Sequence, residues 1–271
     1  MSIVIIKPAF CIAQDLPNVQ EKGIRTPSGL KIDGKAVEVN NDFQAYNKST
    51  YLFYTLTNDD ENFYLVIQSQ NIGINNKIMS CGITFMVKAD NRRNEKDGIS
   101  ITFPAITKNY LVNRNKPAMN LTNYGNEDNE KKKSKATKSS SNRIIDSITY
   151  LRQKAYLTQV KEIGLSGIKE ISTPVISIYN DKNINAKITI SNNNILTYEL
   201  AVPLKYFRLT INKPKEIAYQ ISLNELKGLS GGLPSRLVVE GTAARTTGLG
   251  GIDQRLLSNR LYFWGSYTLA K

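Results

Sequence analysis

Short runs rich in β-branched and aromatic residues, broken at hairpin spacing by Asn- and Asp-rich turns, constrain this chain more than any other feature. Such residues fit a pleated, half-buried surface. Asn, Asp and Gly tolerate the positive φ that tight reversals require. YLFYTLTN (51–58) and NFYLVIQSQ (62–70) are two such runs, and Asn58-Asp59-Asp60-Glu61 between them has the chemistry of a hairpin turn. CGITFMVKA (81–89) and ISITFPAI (99–106) form a second pair around the polar loop NRRNEKDG (91–98), which extends the reading to an antiparallel meander. LKID (30–33) predicts a short strand ending at Asp33-Gly34. Further strands are expected at PVISIYN (174–180), AKITISN (186–192), LTYELAVPL (196–204), EIAYQISLNEL (216–226) and the terminal RLYFWGSYTLAK.

The segment 144–164 breaks the pattern. Ile148, Leu151, Ala155 and Val160 fall near one helical face and Gly164 offers a stop, so one inserted helix is expected near 146–163. The expected fold is therefore mainly β: an antiparallel, jelly-roll-like β-sandwich with that one helix and a disordered basic loop. The basic loop is the Asn-, Lys- and Ser-rich stretch at about 107–145, whose KKKSKATKSSSN is low in complexity. The glycine-rich stretch 228–253 has neither GxxxxGK[ST] nor GxGxxG in a strand-to-helix setting and reads as a surface loop.

At the N-terminus, residues 1–13 read as the remnant of a signal peptide, with cleavage after Ala13, although a basic n-region is missing and Lys7 interrupts the apolar run. Residues 14–29 read as an extended leader, and 30–271 as a single sandwich domain. Export to the periplasm, outer membrane or exterior follows from that address. No apolar run approaches the ~20 residues that span a bilayer.

Composition narrows the chemistry. The chain has no histidine, which removes Ser-His-Asp triads, Cys-His pairs and His-ligated zinc or iron. Its two cysteines, Cys11 and Cys81, cannot build a disulfide framework, and Cys81 in an apolar run reads as a buried, inert thiol. The net charge is +13. It is spread over scattered Lys and Arg, without RNP-like aromatics, Cys/His fingers or a basic heptad helix, so nucleic acid is not the expected partner. Glu38, Asp97 and Glu199 are candidate glycosidase carboxylates, but each has a turn or strand-end explanation, and paired carboxylates must face across a cleft. The chain is read as non-enzymatic. No cofactor is expected; calcium at Asp59, Asp60 or Asp97 is chemically conceivable, without EF-hand-like spacing to support it.

Three segments in order, LKIDGKAVEVNNDF (30–43), YTLTNDDENFYLVIQSQN (54–71) and LTYELAVPLKYF (196–207), resemble carbohydrate-binding module family 9 and DOMON-like sandwich domains. With the Phe-Trp-Gly-x-Tyr-Thr-Leu ending, the chain also resembles exported proteins of the Bacteroidetes type. The resemblance implies a non-catalytic exported module that recognises a carbohydrate or another cell-envelope component. The alternative is a structural or assembly protein of the envelope acting through protein contacts. The sugar-binding members commonly carry a Trp after the Asp-Gly turn and Glu; here Glu38 is followed by Val39, and a single Trp excludes a two-tryptophan clamp. No sugar-binding residue is carried over from the family. Trp264, in an alternating terminal strand, is the one candidate stacking platform, with core or edge packing as its other reading.

Overall fold

A computed structural model describes residues 16–36, 42–106, 150–151, 153–226 and 254–271. The expected signal remnant, the basic loop, the glycine-rich stretch and Glu38 lie outside the described residues. Among the described residues, eleven strands form two antiparallel sheets. The chain runs β1 (Ala45–Asn47), β2 (Leu52–Asn58), β3 (Asn62–Ser69), α1 (Ile72–Cys81), β4 (Ile83–Lys88) and β5 (Ile99–Phe103). Helical residues 150–151 and 153–159 (α2) precede β6 (Glu162–Ser166), β7 (Val175–Ser177), β8 (Asn185–Ile190) and β9 (Leu196–Pro203). A 3-10 turn (Leu204–Phe207), β10 (Glu216–Leu223), α3 (Gln254–Ser258) and β11 (Leu261–Thr268) complete the described chain.

One sheet has the order β1-β2-β3-β9-β8 and the other β11-β10-β4-β5-β6-β7. Alternation aims one face of each strand inward. Leu52, Tyr54 and Leu56 of β2, Phe63, Leu65 and Ile67 of β3, and Tyr198, Leu200 and Val202 of β9 meet Phe85 and Val87 of β4 and Ile217, Tyr219 and Ile221 of β10 in one buried core. The β-sandwich expected from the alternation is thus the fold. At its centre the rings of Phe63 and Tyr267 lie 4.9 Å apart and those of Tyr54 and Phe263 5.1 Å apart. The Tyr54 and Tyr219 hydroxyls bond each other at 2.9 Å, and the Gln20 backbone N–H donates to Tyr54. Tyr219 stands opposite Gly265 in register, where any Cβ would lie 2.3 Å from the phenol ring.

Several expectations are corrected. LKID (30–33) is not a strand; it runs as irregular chain across the outer face of the five-stranded sheet. Cys81, expected to open the strand 81–89, ends α1 instead, and it is buried as expected. Asn71 caps that helix by accepting from the Ile74 N–H, and Gly82 ends it at φ +77°. Where it is described, the inserted helix ends at residue 159, short of the expected 163. Gly164 is no helix stop: it lies in β6, paired with Thr102 and Val175. The expected meander is also interrupted, because α1 carries the chain from one sheet to the other between β3 and β4.

The leader is bound along its described part. The Gln20 side chain accepts from Leu56 N–H and donates to Leu56 C=O, and Arg25 forms a parallel bridge with Asn58. Asn58, fully buried, ties the β2–β3 turn to the C-terminus: its Oδ1 accepts from the Ala270 N–H and the Tyr267 hydroxyl.

Candidate binding cleft

The β2–β3 turn is held by its first acid. Asp59 Oδ1 accepts from the backbone N–H groups of Glu61 (2.8 Å) and Asn62 (2.6 Å), an Asx turn. Its other oxygen accepts from the Tyr64 hydroxyl at 2.7 Å. Burial pushes the Asp59 carboxyl up, but the Tyr64, Asn62 and Glu61 donors outweigh it and hold the group below its ordinary value. Burial and the bond to that carboxylate raise Tyr64 to about 12, so the phenol stays protonated. Asp59 is therefore a turn carboxylate that also fixes an aromatic ring by its tip.

That ring lines a cleft of about 890 Å³ on the outer face of the five-stranded sheet. Its floor can be read from the register. Tyr64 on β3 stands beside Ala201 on β9, which stands beside Asn185 on β8. Strands lie ~4.8 Å apart, so the small Ala201 leaves a shelf roughly 10 Å wide between the phenol and the amide. Leu30, Lys31 and Ile32 form one wall, Asp60 and Glu61 another, and Ile178, Asn183, Leu204, Lys205 and Leu209 are among the remaining lining residues.

Glu199 sets the position of the first wall. It is 1% exposed on the outer side of β9, and its carboxylate accepts from the backbone N–H groups of Gly34 (2.7 Å) and Ala36 (2.8 Å). The Thr189 hydroxyl donates to Gly34 C=O. Gly34 sits at φ +85°, with Thr189 and Lys187 side chains where a Cβ would go, so only glycine fits that turn. The expected Asp-Gly reversal is present, and the buried carboxylate fastens it across the sheet.

The two described candidate carboxylates do not converge on the cleft. Glu199 is engaged beneath the strap, and Asp97 is exposed in the 91–98 loop at φ +58°. Neither lines the cleft. Asp60 and Glu61 do, but as neighbours on one turn, and Asp60 pairs with Arg25 at 2.7 Å. Among the described residues no group of three or more Cys, Asp and Glu side chains is gathered to hold a metal ion. With Lys31 and Lys205 against Asp60 and Glu61, the cleft is balanced in charge.

Trp264 lies elsewhere. It is half-buried on the outward side of β11, in the other sheet, opposite Gln220 in register. Gln220 is itself fully buried and belongs to a network in which Arg260 donates to Glu95, Gln220 and Ser222. Arg260 also lies over the half-exposed Tyr262 ring, 5.1 Å from its centroid. The structure thus places Tyr64, and not Trp264, in the cleft. The only sequence signal for Tyr64 was its outward position beside an Asp-rich turn.

The described residues thus form an antiparallel β-sandwich with an aromatic- and amide-lined cleft on one outer face. No protein-family model and no curated protein matches the chain.

Proposed function

We propose that this protein is a non-catalytic, exported binding domain, akin to family 9 carbohydrate-binding modules and DOMON-like domains, that takes a carbohydrate or another cell-envelope component in the cleft beside Tyr64. The observation that carries the reading is the Tyr64–Ala201–Asn185 row. It combines a ring locked by Asp59, a shelf beside it and a side-chain amide across the gap. The lining is more polar than apolar, which suits a hydroxyl-rich ligand better than an apolar one. A sugar ring offers C–H faces to a phenol and hydroxyls to amides and carboxylates. Asn183, Asn185 and Glu61 are exposed on the lining and available for that second role.

A thermal-shift screen of the full chain against soluble neutral oligosaccharides tests it. A saccharide at one hundred times its dissociation constant stabilises by about 2.7 kcal/mol. The expected result is a shift with one sugar class that Tyr64→Ala abolishes and Trp264→Ala leaves in place. No shift across a broad panel, or one lost only with Trp264→Ala, would overturn the assignment to this cleft.

One observation favours a second reading, envelope assembly through protein contacts. Among the described residues β7 and β8 are the last strands of their sheets and are joined directly, so both of these edges lie along one side of the sandwich. Free strand edges are templates for pairing with another chain, and Tyr179 between them is 76% exposed. Partner capture from envelope extracts, lost on placing proline in β8, would support this reading over the first.

A further inference from the structure

The two sides of the cleft are built differently. On the β3 side stands the Tyr64 ring, held at its tip by Asp59. The β8 side is formed by the turn between β7 and β8 and by the 3-10 turn, and it presents aliphatic side chains together with side-chain amides. Asn180 organises the first of these turns. Its Nδ2 donates to the Ser177 and Ile184 carbonyls, both at 2.8 Å, and its Oδ1 accepts from the Lys182 and Ile184 N–H groups. Asn183 takes φ +59° there, a left-handed conformation that asparagine tolerates. The Tyr206 hydroxyl donates to Lys182 C=O and joins this turn to the 3-10 turn. Leu204 N–H donates to Glu61 C=O at 2.7 Å, and Leu209 N–H to Leu204 C=O at 3.1 Å.

Ile178 and Leu209 are partly buried and pack against the main core, to which the buried Leu204 belongs. All three line the cleft with Asn183 and Asn185. Asn185 Nδ2 donates to Asn183 C=O at 3.4 Å, which leaves Asn185 Oδ1 to accept an N–H from a ligand. A sugar that carries only hydroxyls satisfies the amides but brings nothing for the aliphatic side chains. An acetamido substituent brings something for each: a methyl for Ile178, Leu204 and Leu209, an N–H for an amide oxygen, and a C=O for an amide N–H. The dimensions agree. The shelf spans two strand spacings, roughly 10 Å, so a pyranose on the Tyr64 side leaves the β8 side to a substituent.

We propose that the cleft selects an N-acetylated amino sugar, with the sugar ring against Tyr64 and the acetamido group set between the aliphatic side chains of Ile178, Leu204 and Leu209 and the amides of Asn183 and Asn185. The inference rests on the proposed function and narrows it to one chemical class. Withdrawing the acetyl methyl from water against aliphatic side chains adds affinity that a hydroxyl at the same place does not recover.

The test is calorimetric titration of the full chain with triacetylchitotriose and with cellotriose. These trisaccharides share one backbone and one linkage and differ only in carrying an acetamido group or a hydroxyl on each ring. Triacetylchitotriose should bind at least ~10-fold more tightly than cellotriose, and Tyr64→Ala should abolish its binding. Leu209→Asn, which removes part of the aliphatic surface, should bring the two affinities within ~3-fold of each other. Equal affinities in the parent protein, or tighter binding of cellotriose, would overturn the selectivity while leaving a saccharide in the cleft. Binding of neither trisaccharide would also overturn it. The proposed function falls as well only if the wider oligosaccharide screen shows no shift that depends on Tyr64. A preference unchanged in Leu209→Asn would overturn the placement of the acetyl methyl. The comparison in the parent protein decides the selectivity even if that variant does not fold.

Discussion

At the scale of single residues, Asp59 shows how one carboxylate serves a turn and the wall of a cleft together. It accepts two backbone N–H groups and the Tyr64 hydroxyl. Because the folded carboxyl titrates below its ordinary value, the unfolded chain takes up the proton first as pH falls. Its contribution is complete above the unfolded value and is lost as pH falls through the folded one. Asp59→Asn should therefore lower stability at neutral pH by about 1 kcal/mol, discounted for solvent screening at a partly exposed turn. The gap to the parent should close in acid. Urea midpoints across a pH series check this, and a gap constant down to strongly acid pH would refute it. Tyr64→Phe keeps the ring and frees its tip. On the proposed function it should weaken saccharide binding less than Tyr64→Ala, as calorimetric titration would show. Gly265 makes a separate point about packing: a methyl there would overlap the Tyr219 ring. Gly265→Ala should cost about 1–3 kcal/mol by overpacking, read as a lower thermal midpoint.

At the scale of elements, the strap at 30–36 depends on Glu199. Glu199→Gln replaces one acceptor oxygen with an amide that faces a backbone N–H, Gly34 or Ala36. A hydrogen bond to a charged group contributes about 1.5–3 kcal/mol. Amide hydrogen exchange at Gly34 and Ala36 should accelerate in this variant, and saccharide affinity should fall with it because Leu30–Ile32 would no longer be held as a wall. Unchanged exchange would show that the strap is held by other contacts. The same elements show what was legible. β2, β3, β8, β9 and β11 announce themselves through alternation and Asx turns, and Pro203 ends β9 where its missing N–H would interrupt the ladder. α1 was hidden because its Asn-Asn pair, glycine and three isoleucines carry weak helical preference, so its stability comes from packing against the core. Only Glu162 and Ile163 of β6 fall in the expected helix; the rest of the strand goes unrecognised because Glu162–Ser166 is too short for its period to stand out.

At the scale of the whole molecule, the sandwich could be read from the number and spacing of its strands, but the order within the sheets could not. β3 pairs with β9 and β4 with β10 across more than a hundred residues, and no local pattern reports such pairings. The cleft exists only because of them. Tyr64 acquires Ala201 and Asn185 as neighbours when β9 and β8 are laid beside β3, which is why the cleft is invisible to sequence, where Trp264 stands out only as an aromatic in a terminal strand. Identifying the ligand contacts directly is the decisive measurement: amide chemical-shift mapping of the full chain during titration with the saccharide that gives a thermal shift. A ligand seated as proposed moves the resonances of Tyr64, Ala201, Asn185 and the 30–32 strap and leaves β11 unmoved. Shifts confined to β11 and the 91–98 loop around Trp264, with the cleft silent, would contradict it.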